Sequence, residues 1–475
     1  MRKNILKYIE VAENIEKYII RNHLKVGDKL PGGRYFTELF NTSKNTLYEA
    51  YGFLEDKNII SIEYKSGAVI KNIPSKSRKS DKDLDWKPYI KLGWQRQSSR
   101  SFQKFYNQAF DKSFMFFNAS HLHPDFGYGR LLEESVKNVM AKVRNTDLLS
   151  VCDNDIVSSL KIEAAKRLDS DNYDKYSDNV LFCSGRYFAI DVVLQSLLCS
   201  GGILYVESPS HILSTSIVNS IGLNIVPISM DNEGLSITEL KRKYKKNKNS
   251  ALFLSSRGNI VNNICLSHNR AKEIIEFTDN VKMPVIEMDY NSIYYPNSAV
   301  LKKLDTNNRV IYLSNIFASY TFGFDLCWII APDIIYSKIR DNLFQYFPYQ
   351  ISLELYIFED MFRTGNYDKL MKEITPKLKD YKEYIDSKVN EYLSDFGYIA
   401  SCKTGYATWF KIDDKIINLK KFSLKLEENK LSVLLGYYFG KEFYSYILIY
   451  PYSFTKEDIE KGIILLSEVL KQSLK

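Results

Sequence analysis

No run of this sequence approaches the roughly 18 uncharged apolar residues of a membrane-crossing helix, so no helical span is expected. Cysteine is sparse and dispersed. Cys152, Cys183, Cys199, Cys265, Cys327 and Cys402 include no C-x-x-C pair, which excludes the common zinc and dithiol motifs. Most lie in apolar surroundings and are expected as reduced, buried side chains. The opening residues Met1-Arg2-Lys3-Asn4-Ile5 run straight into a helical pattern, without the apolar core and cleavage site of a secretory signal. A cytoplasmic location is the expectation. Histidine is scarce too, 5 in 475 residues. Two histidines alone, as in the pair His121 and His123, rarely hold a metal, and no metal site is expected.

What is present is apolar and basic. The chain is 45% hydrophobic and 14% aromatic, enough for a large core. Its length suits several domains. The net charge of +8 is uneven: residues 1–83 hold 16 Lys+Arg against 11 Asp+Glu, most of the excess in a small part of the chain. A basic module beside a nearly neutral body points to a polyanionic partner. A further basic run, Lys241 to Lys248, reads as a solvated surface.

Periodicity divides the chain. Ile5, Ile9, Val11, Ile15, Tyr18 and Ile19 repeat at helical spacing. A turn at Val26-Gly27-Asp28 leads to a second helix over about 32–40. A third runs over about 44–54. Two short strands, 59–63 and 68–71, flank Tyr64-Lys65-Ser66-Gly67 as a hairpin. The stretch from Pro74 to Lys82 is polar and aperiodic and reads as a linker. Beyond about Asp111, short apolar strands alternate with helices: Val180–Cys183, Ile203–Val206, Ile225–Ile228, Ala251–Leu254, Val285–Met288, Val310–Leu313 and Cys327–Ile330. Strands apolar on both faces and separated by helices indicate a mostly parallel α/β sheet. The expected domains are 1–73, a linker at 74–112, a large domain at 113–380 and a small α+β segment at 381–475.

Ser43 is a good N-cap for the third helix. That helix projects Lys44, Asn45, Thr46 and Tyr48 from its first turns, side chains suited to phosphates and base edges in a major groove. Leu47, Ala50, Tyr51 and Leu54 form its inward face. Arg34 opens the second helix, and Lys65 at the hairpin tip is placed to reach an adjacent groove.

The series Leu30-Pro31-Gly32-Gly33-Arg34, then Ser43-Lys44-Asn45-Thr46, then Gly67, resembles the winged helix-turn-helix of the GntR family of bacterial regulators over residues 3–72. The resemblance implies DNA contacts from Arg34, Ser43, Lys44, Asn45, Thr46 and Gly67. Several relatives carry arginine where this chain has Tyr48, which leaves that base preference open.

From about Phe116 the chain resembles the fold-type-I aminotransferase-like domain of MocR-type regulators. The landmarks are the strand, glycine turn and helix of Val180–Asp191, then Glu207-Ser208-Pro209-Ser210-His211, Glu287-Met288-Asp289-Tyr290-Asn291-Ser292, and Arg309–Ser314. The resemblance implies pyridoxal phosphate (PLP) as the family cofactor, and a dimer. The departures matter more. The position of the Schiff-base lysine falls on Ala318, and no lysine occurs between Lys303 and Lys338. The ring-nitrogen carboxylate position reads Met288. The phosphate-gripping arginine position reads Asp325, and the serine before the lysine reads Phe317. The family's substrate-carboxylate arginine lies in the C-terminal segment, yet Arg363 is the last arginine. PLP chemistry needs the lysine amine and the electron sink, so no PLP cofactor and no transaminase activity are expected.

The expected function is a dimeric transcription regulator that binds double-stranded DNA. Its remodelled cavity, lined by Arg186, His211, Tyr290, Phe317 and Tyr320, either holds a small-molecule effector or is a filled scaffold. The alternative is a regulator or aminotransferase-related enzyme that keeps PLP in a non-standard site.

Overall fold

The computed structural model describes residues 2–63, 67–72, 107–108, 111, 113–117, 122–142, 154–214, 217–289, 291–292, 294–316, 326–346, 352–402 and 404–475. Two compact units meet in sequence between residues 94 and 95.

The first unit is a three-helix head with a β-hairpin. Helix α1 (Arg2–Arg21) turns Val11, Ala12, Ile15 and Ile19 inward at helical spacing. Helix α2 (Gly33–Leu39) contributes Phe36, whose ring stacks on Phe40 and meets Tyr18 edge-on at 5.1 Å. Helix α3 (Lys44–Asp56) buries Leu47, Ala50, Tyr51 and Leu54. Strands β1 (Ile60–Glu63) and β2 (Gly67–Ile70) pair antiparallel from Ile60 with Ile70 to Glu63 with Gly67. Gly67 therefore opens the second strand. The chain before α2 ties onto the hairpin: the backbone N–H of Leu30 donates to the Ala68 carbonyl at 2.8 Å, and that of Gly27 to the Ile70 carbonyl at 2.8 Å. This is a winged helix-turn-helix.

The second unit has β3 (Met115–Phe116) as its first described strand and is built on an eight-stranded sheet. Its strands are β4 (Val180–Ser184), β5 (Ile203–Ser208), β6 (Asn224–Asp231), β7 (Gly234–Leu235), β8 (Ser250–Ser255), β9 (Val285–Asp289), β10 (Val310–Asn315) and β11 (Leu326–Ile330). The spatial order is β4-β11-β10-β9-β8-β5-β6-β7. Strands β6, β5, β8, β9 and β10 are mutually parallel, and β11 runs antiparallel to both β10 and β4. All seven expected strands are found. Their residues are apolar throughout because helices cover both faces. Helices Arg186–Leu197 and Asp333–Tyr346 pack one face with Ile190, Val193, Leu194, Ile339 and Leu343. Helices Ile237–Lys243 and His268–Val281 pack the other with Leu240, Ala271 and Ile274.

A second sheet follows in the order β12 (Gly397–Ile399), β13 (Thr408–Ile412), β16 (Tyr446–Ile449) and β15 (Leu434–Leu435). Strand β14 (Leu431–Ser432) pairs instead with β3. The start of the second unit thus joins its C-terminal segment. Gln108, within the expected linker, accepts a 2.8 Å hydrogen bond from the Ser432 hydroxyl. Helix Asn366–Leu393 runs without a break across position 380, burying Leu370, Ile374, Leu378, Ile385, Val389 and Leu393 along one face. No described helix is long and apolar enough to cross a membrane.

Candidate functional site

In the head, the chemistry converges on the start of α3. Ser43 is extended, with φ −77° and ψ 156°, and its hydroxyl accepts the Thr46 backbone N–H at 3.1 Å. This N-cap satisfies one of the orphan donors of the helix end and fixes the angle at which α3 leaves the turn. Lys44, Asn45 and Glu49 are exposed, and Tyr48 is 65% exposed. Arg34 is exposed on α2. Thr46 is a correction to the expected contact set. It is buried, and its hydroxyl lies 2.8 Å from that of Ser43. It occupies the inward register with Leu47, Ala50 and Leu54, so it holds the turn together and does not face outward. Lys65 lies outside the described residues.

In the body, Gly185 links the end of β4 to helix Arg186–Leu197, and its φ of 82° and ψ of 136° suit glycine. Arg186 and His211 are both buried, and the His211 ring lies 5.8 Å from that of Tyr187 and 6.1 Å from that of Phe253. Burial first, and then the Arg186 charge, pull the His211 pKa down to about 3. The imidazole is therefore neutral at pH 7. Of the five expected cavity residues, the structure brings Arg186 and His211 together. Tyr290, Phe317 and Tyr320 lie outside the described residues, as do Ala318 and Asp325.

Met288 and Asp289, neighbours on β9, face opposite environments. Met288 is fully buried in the apolar cluster of Leu181, Cys183, Ile190 and Leu313. Asp289 points to the other face, as strand alternation requires. There its Oδ2 lies 3.0 Å from Arg257 Nε and accepts the Tyr312 hydroxyl at 2.6 Å. The Asn291 backbone N–H donates to Oδ1 at 3.3 Å. Arg257, Asp289 and Tyr312 are all buried. Burial, and then the Asp289 charge, push the Tyr312 hydroxyl well above its ordinary pKa, which keeps it a donor.

Two further buried carboxyls shape the same strand ends. Glu287 accepts the backbone N–H groups of Leu301 at 2.8 Å and Lys302 at 2.7 Å. Glu207 accepts from Asn259 Nδ2 at 2.9 Å. Burial raises each to about 7. Arg257, Asn259, Asn262 and Asn263 form a buried polar loop just after β8. Sequence reasoning did not single out this loop. Its one signal was the polar run Ser255-Ser256-Arg257-Gly258-Asn259, which follows an entirely apolar strand core.

A PLP ring would need a carboxylate at its nitrogen. The Met288 thioether is sealed in apolar contacts, and the Asp289 carboxylate is already engaged on the far face.

The remaining expected features have local roles. His123 Nδ1 accepts from the Asp125 backbone N–H at 3.3 Å, which caps a short 3-10 turn, while His121 lies outside the described residues. In the basic run, Lys243 Nζ donates to the Pro227 carbonyl at 2.7 Å and pairs with Glu239 at 2.8 Å.

Residues 7–70 match the model of the bacterial regulatory proteins of the gntR family. The whole chain is similar to an HTH-type transcriptional regulator of Bacillus subtilis, YdfD, at 23% identity over 99% of this chain and 97% of the relative. It is also 22% identical to the HTH-type transcriptional regulator NorG of Staphylococcus aureus, over 94% of this chain and all of the relative. The chain is a transcriptional regulator of MocR-type architecture. The body of this MocR-type regulator has the fold of the Pyrococcus horikoshii kynurenine aminotransferase, with a TM-score of 0.70 at 18% identity over 81% of this chain and 96% of that one. The Thermus thermophilus α-aminoadipate aminotransferase LysN gives a TM-score of 0.69 at 16% identity, over 82% and 98%.

Proposed function

We propose that this regulator is a cytoplasmic dimer that binds double-stranded DNA through its winged heads, and that its aminotransferase-like body carries out no PLP chemistry. The observation that carries the second half is the split at Met288 and Asp289. The residue in the ring-nitrogen position is a core thioether, and the adjacent carboxylate is held by Arg257 and Tyr312. The sequence adds three departures to this one. The lysine position reads Ala318, the phosphate-arginine position reads Asp325, and no arginine follows Arg363. A carboxylate facing a phosphate costs on the order of a few kcal/mol at an effective dielectric near ~20. The body then serves dimerisation, which sets two heads on paired half-sites.

Two experiments test the reading. Purified protein mixed with PLP, scanned in the visible and then treated with borohydride, is expected to show no lysine adduct by mass spectrometry. An adduct within the body would restore the enzyme reading. Arg34→Ala combined with Lys44→Ala is expected to abolish specific DNA binding with the fold intact. Unchanged binding would remove those residues from the interface.

A second reading, sensing of an effector without PLP, is favoured by the buried Arg186 beside the neutral His211, a charge and a polar ring inside the body. Thermal-shift screening of amino acids, vitamers and nucleotides tests it, and no shift with any of them supports the scaffold reading.

A further inference from the structure

The reading face of α3 is chemically narrow. Lys44, Asn45, Tyr48 and Glu49 are exposed at i, i+1, i+4 and i+5, and so share one side of the helix. Thr46, Leu47, Ala50, Tyr51 and Leu54 take the opposite side and are buried. The helix, KNTLYEAYGFLED, contains no arginine.

Each of these side chains restricts what the face can recognise. The commonest base-specific contact in a major groove is a bidentate one to guanine O6 and N7, and arginine's rigid fork suits it best. Lys44, the one cation of α3, is a point charge at the first helical position, suited to a phosphate. Glu49 excludes the idea that this side of the helix is a phosphate-binding stripe, since a carboxylate there repels the backbone. Asn45 presents an N–H donor and a carbonyl acceptor side by side on a planar amide, the complement of adenine N7 and N6. Tyr48 holds a large ring 65% exposed. An apolar ring edge complements the 5-methyl group that thymine alone presents in the groove.

We propose that α3 is an A·T reader, with Asn45 recognising an adenine and Tyr48 the methyl group of a thymine in the same half-site. This inference rests on the DNA-binding reading above and deepens it by assigning the specificity-determining residues and the bases they select.

The test is selection of duplexes from a randomised pool with the full-length protein, wild type and three variants, at one fixed salt concentration. Wild type is expected to enrich half-sites with A·T pairs at both positions. Asn45→Ala should flatten the preference at one base pair. Tyr48→Arg should convert a different base pair to G·C, while Tyr48→Phe keeps its thymine. Loss of either contact should lower affinity for the selected site roughly tenfold. Both side chains are exposed, so unchanged melting of the variants shows that folding is not the cause of any effect. An enriched motif with G·C at these positions, or a motif that neither Asn45→Ala nor Tyr48→Arg alters, overturns the proposal and leaves the regulator reading standing. Absence of any enriched motif for wild type overturns the regulator reading itself.

Discussion

Arg257, just after β8, and Asp289, at the end of the adjacent parallel strand β9, form a buried ion pair with 3.0 Å between Nε and Oδ2. Tyr312 on the next strand donates to the same oxygen at 2.6 Å. The loop after β8, the end of β9 and the middle of β10 are thus tied together on one carboxylate. A buried pair contributes little net stability, but its loss on one side leaves an uncompensated charge.

Arg257→Met is expected to destabilise the body by about 3–5 kcal/mol, because Asp289 loses its counter-charge. Arg257→Met combined with Asp289→Leu should recover most of that loss. Urea denaturation of the full-length protein measures both. A single variant as stable as wild type would show that the pair carries no structural charge balance.

His211 makes stability depend on pH. Its folded pKa is pulled to about 3, below the ordinary value near 6.5 of the unfolded chain. As pH falls below 6.5, the unfolded state takes up a proton that the folded state refuses, so stability falls. Relative to a His211→Asn variant, wild type should lose about 2 kcal/mol between pH 7 and pH 5. Comparing the two denaturation curves at each pH isolates this effect from Glu207 and Glu287. Those carboxyls are raised to about 7, and their linkage runs the other way, with stability lost as pH rises from about 4.5 to 7. Parallel curves for the two proteins would place His211 in water.

Ser43→Ala removes the N-cap of α3 and is expected to cost the head about 1 kcal/mol. Thr46 also loses its partner at 2.8 Å. DNA binding should weaken with it, because the first turn of α3 carries Lys44 and Asn45. Melting of the head, followed by hydrogen exchange in residues 43–48, measures the change. A head as protected as wild type would remove the cap from the account.

How much of this was legible in the sequence follows from the physics of each element. The seven strands were readable because a sheet covered on both faces needs uninterrupted apolar runs, as in Ala251–Leu254 and Val310–Leu313. Ser43 was readable as a cap from its residue type and place. The inward direction of Thr46 was masked by its polar character, although it shares a helical register with Leu47, Ala50 and Leu54. The Arg257–Asp289 pair joins residues far apart in sequence, and only the β8–β9 pairing brings them together. Helix Asn366–Leu393 runs across the expected boundary at 380, and its buried face continues unbroken through that position. The side of the strand to which Asp289 points was legible, since alternation from Met288 fixes it.

Binding should fall steeply with salt, since phosphate neutralisation releases counterions. A head that makes several phosphate contacts is expected to lose orders of magnitude in affinity between about 50 and 200 mM salt. Fluorescence anisotropy across that range gives the slope. A flat response would mean that Arg34 and Lys44 meet no phosphates.

The most direct test of the account is the affinity of the full-length protein for its selected duplex, measured by anisotropy at fixed salt with and without excess PLP. Saturable, sequence-preferring binding with the same Kd in both conditions is predicted. Binding that shows no sequence preference, or that appears only when PLP is present, would contradict it.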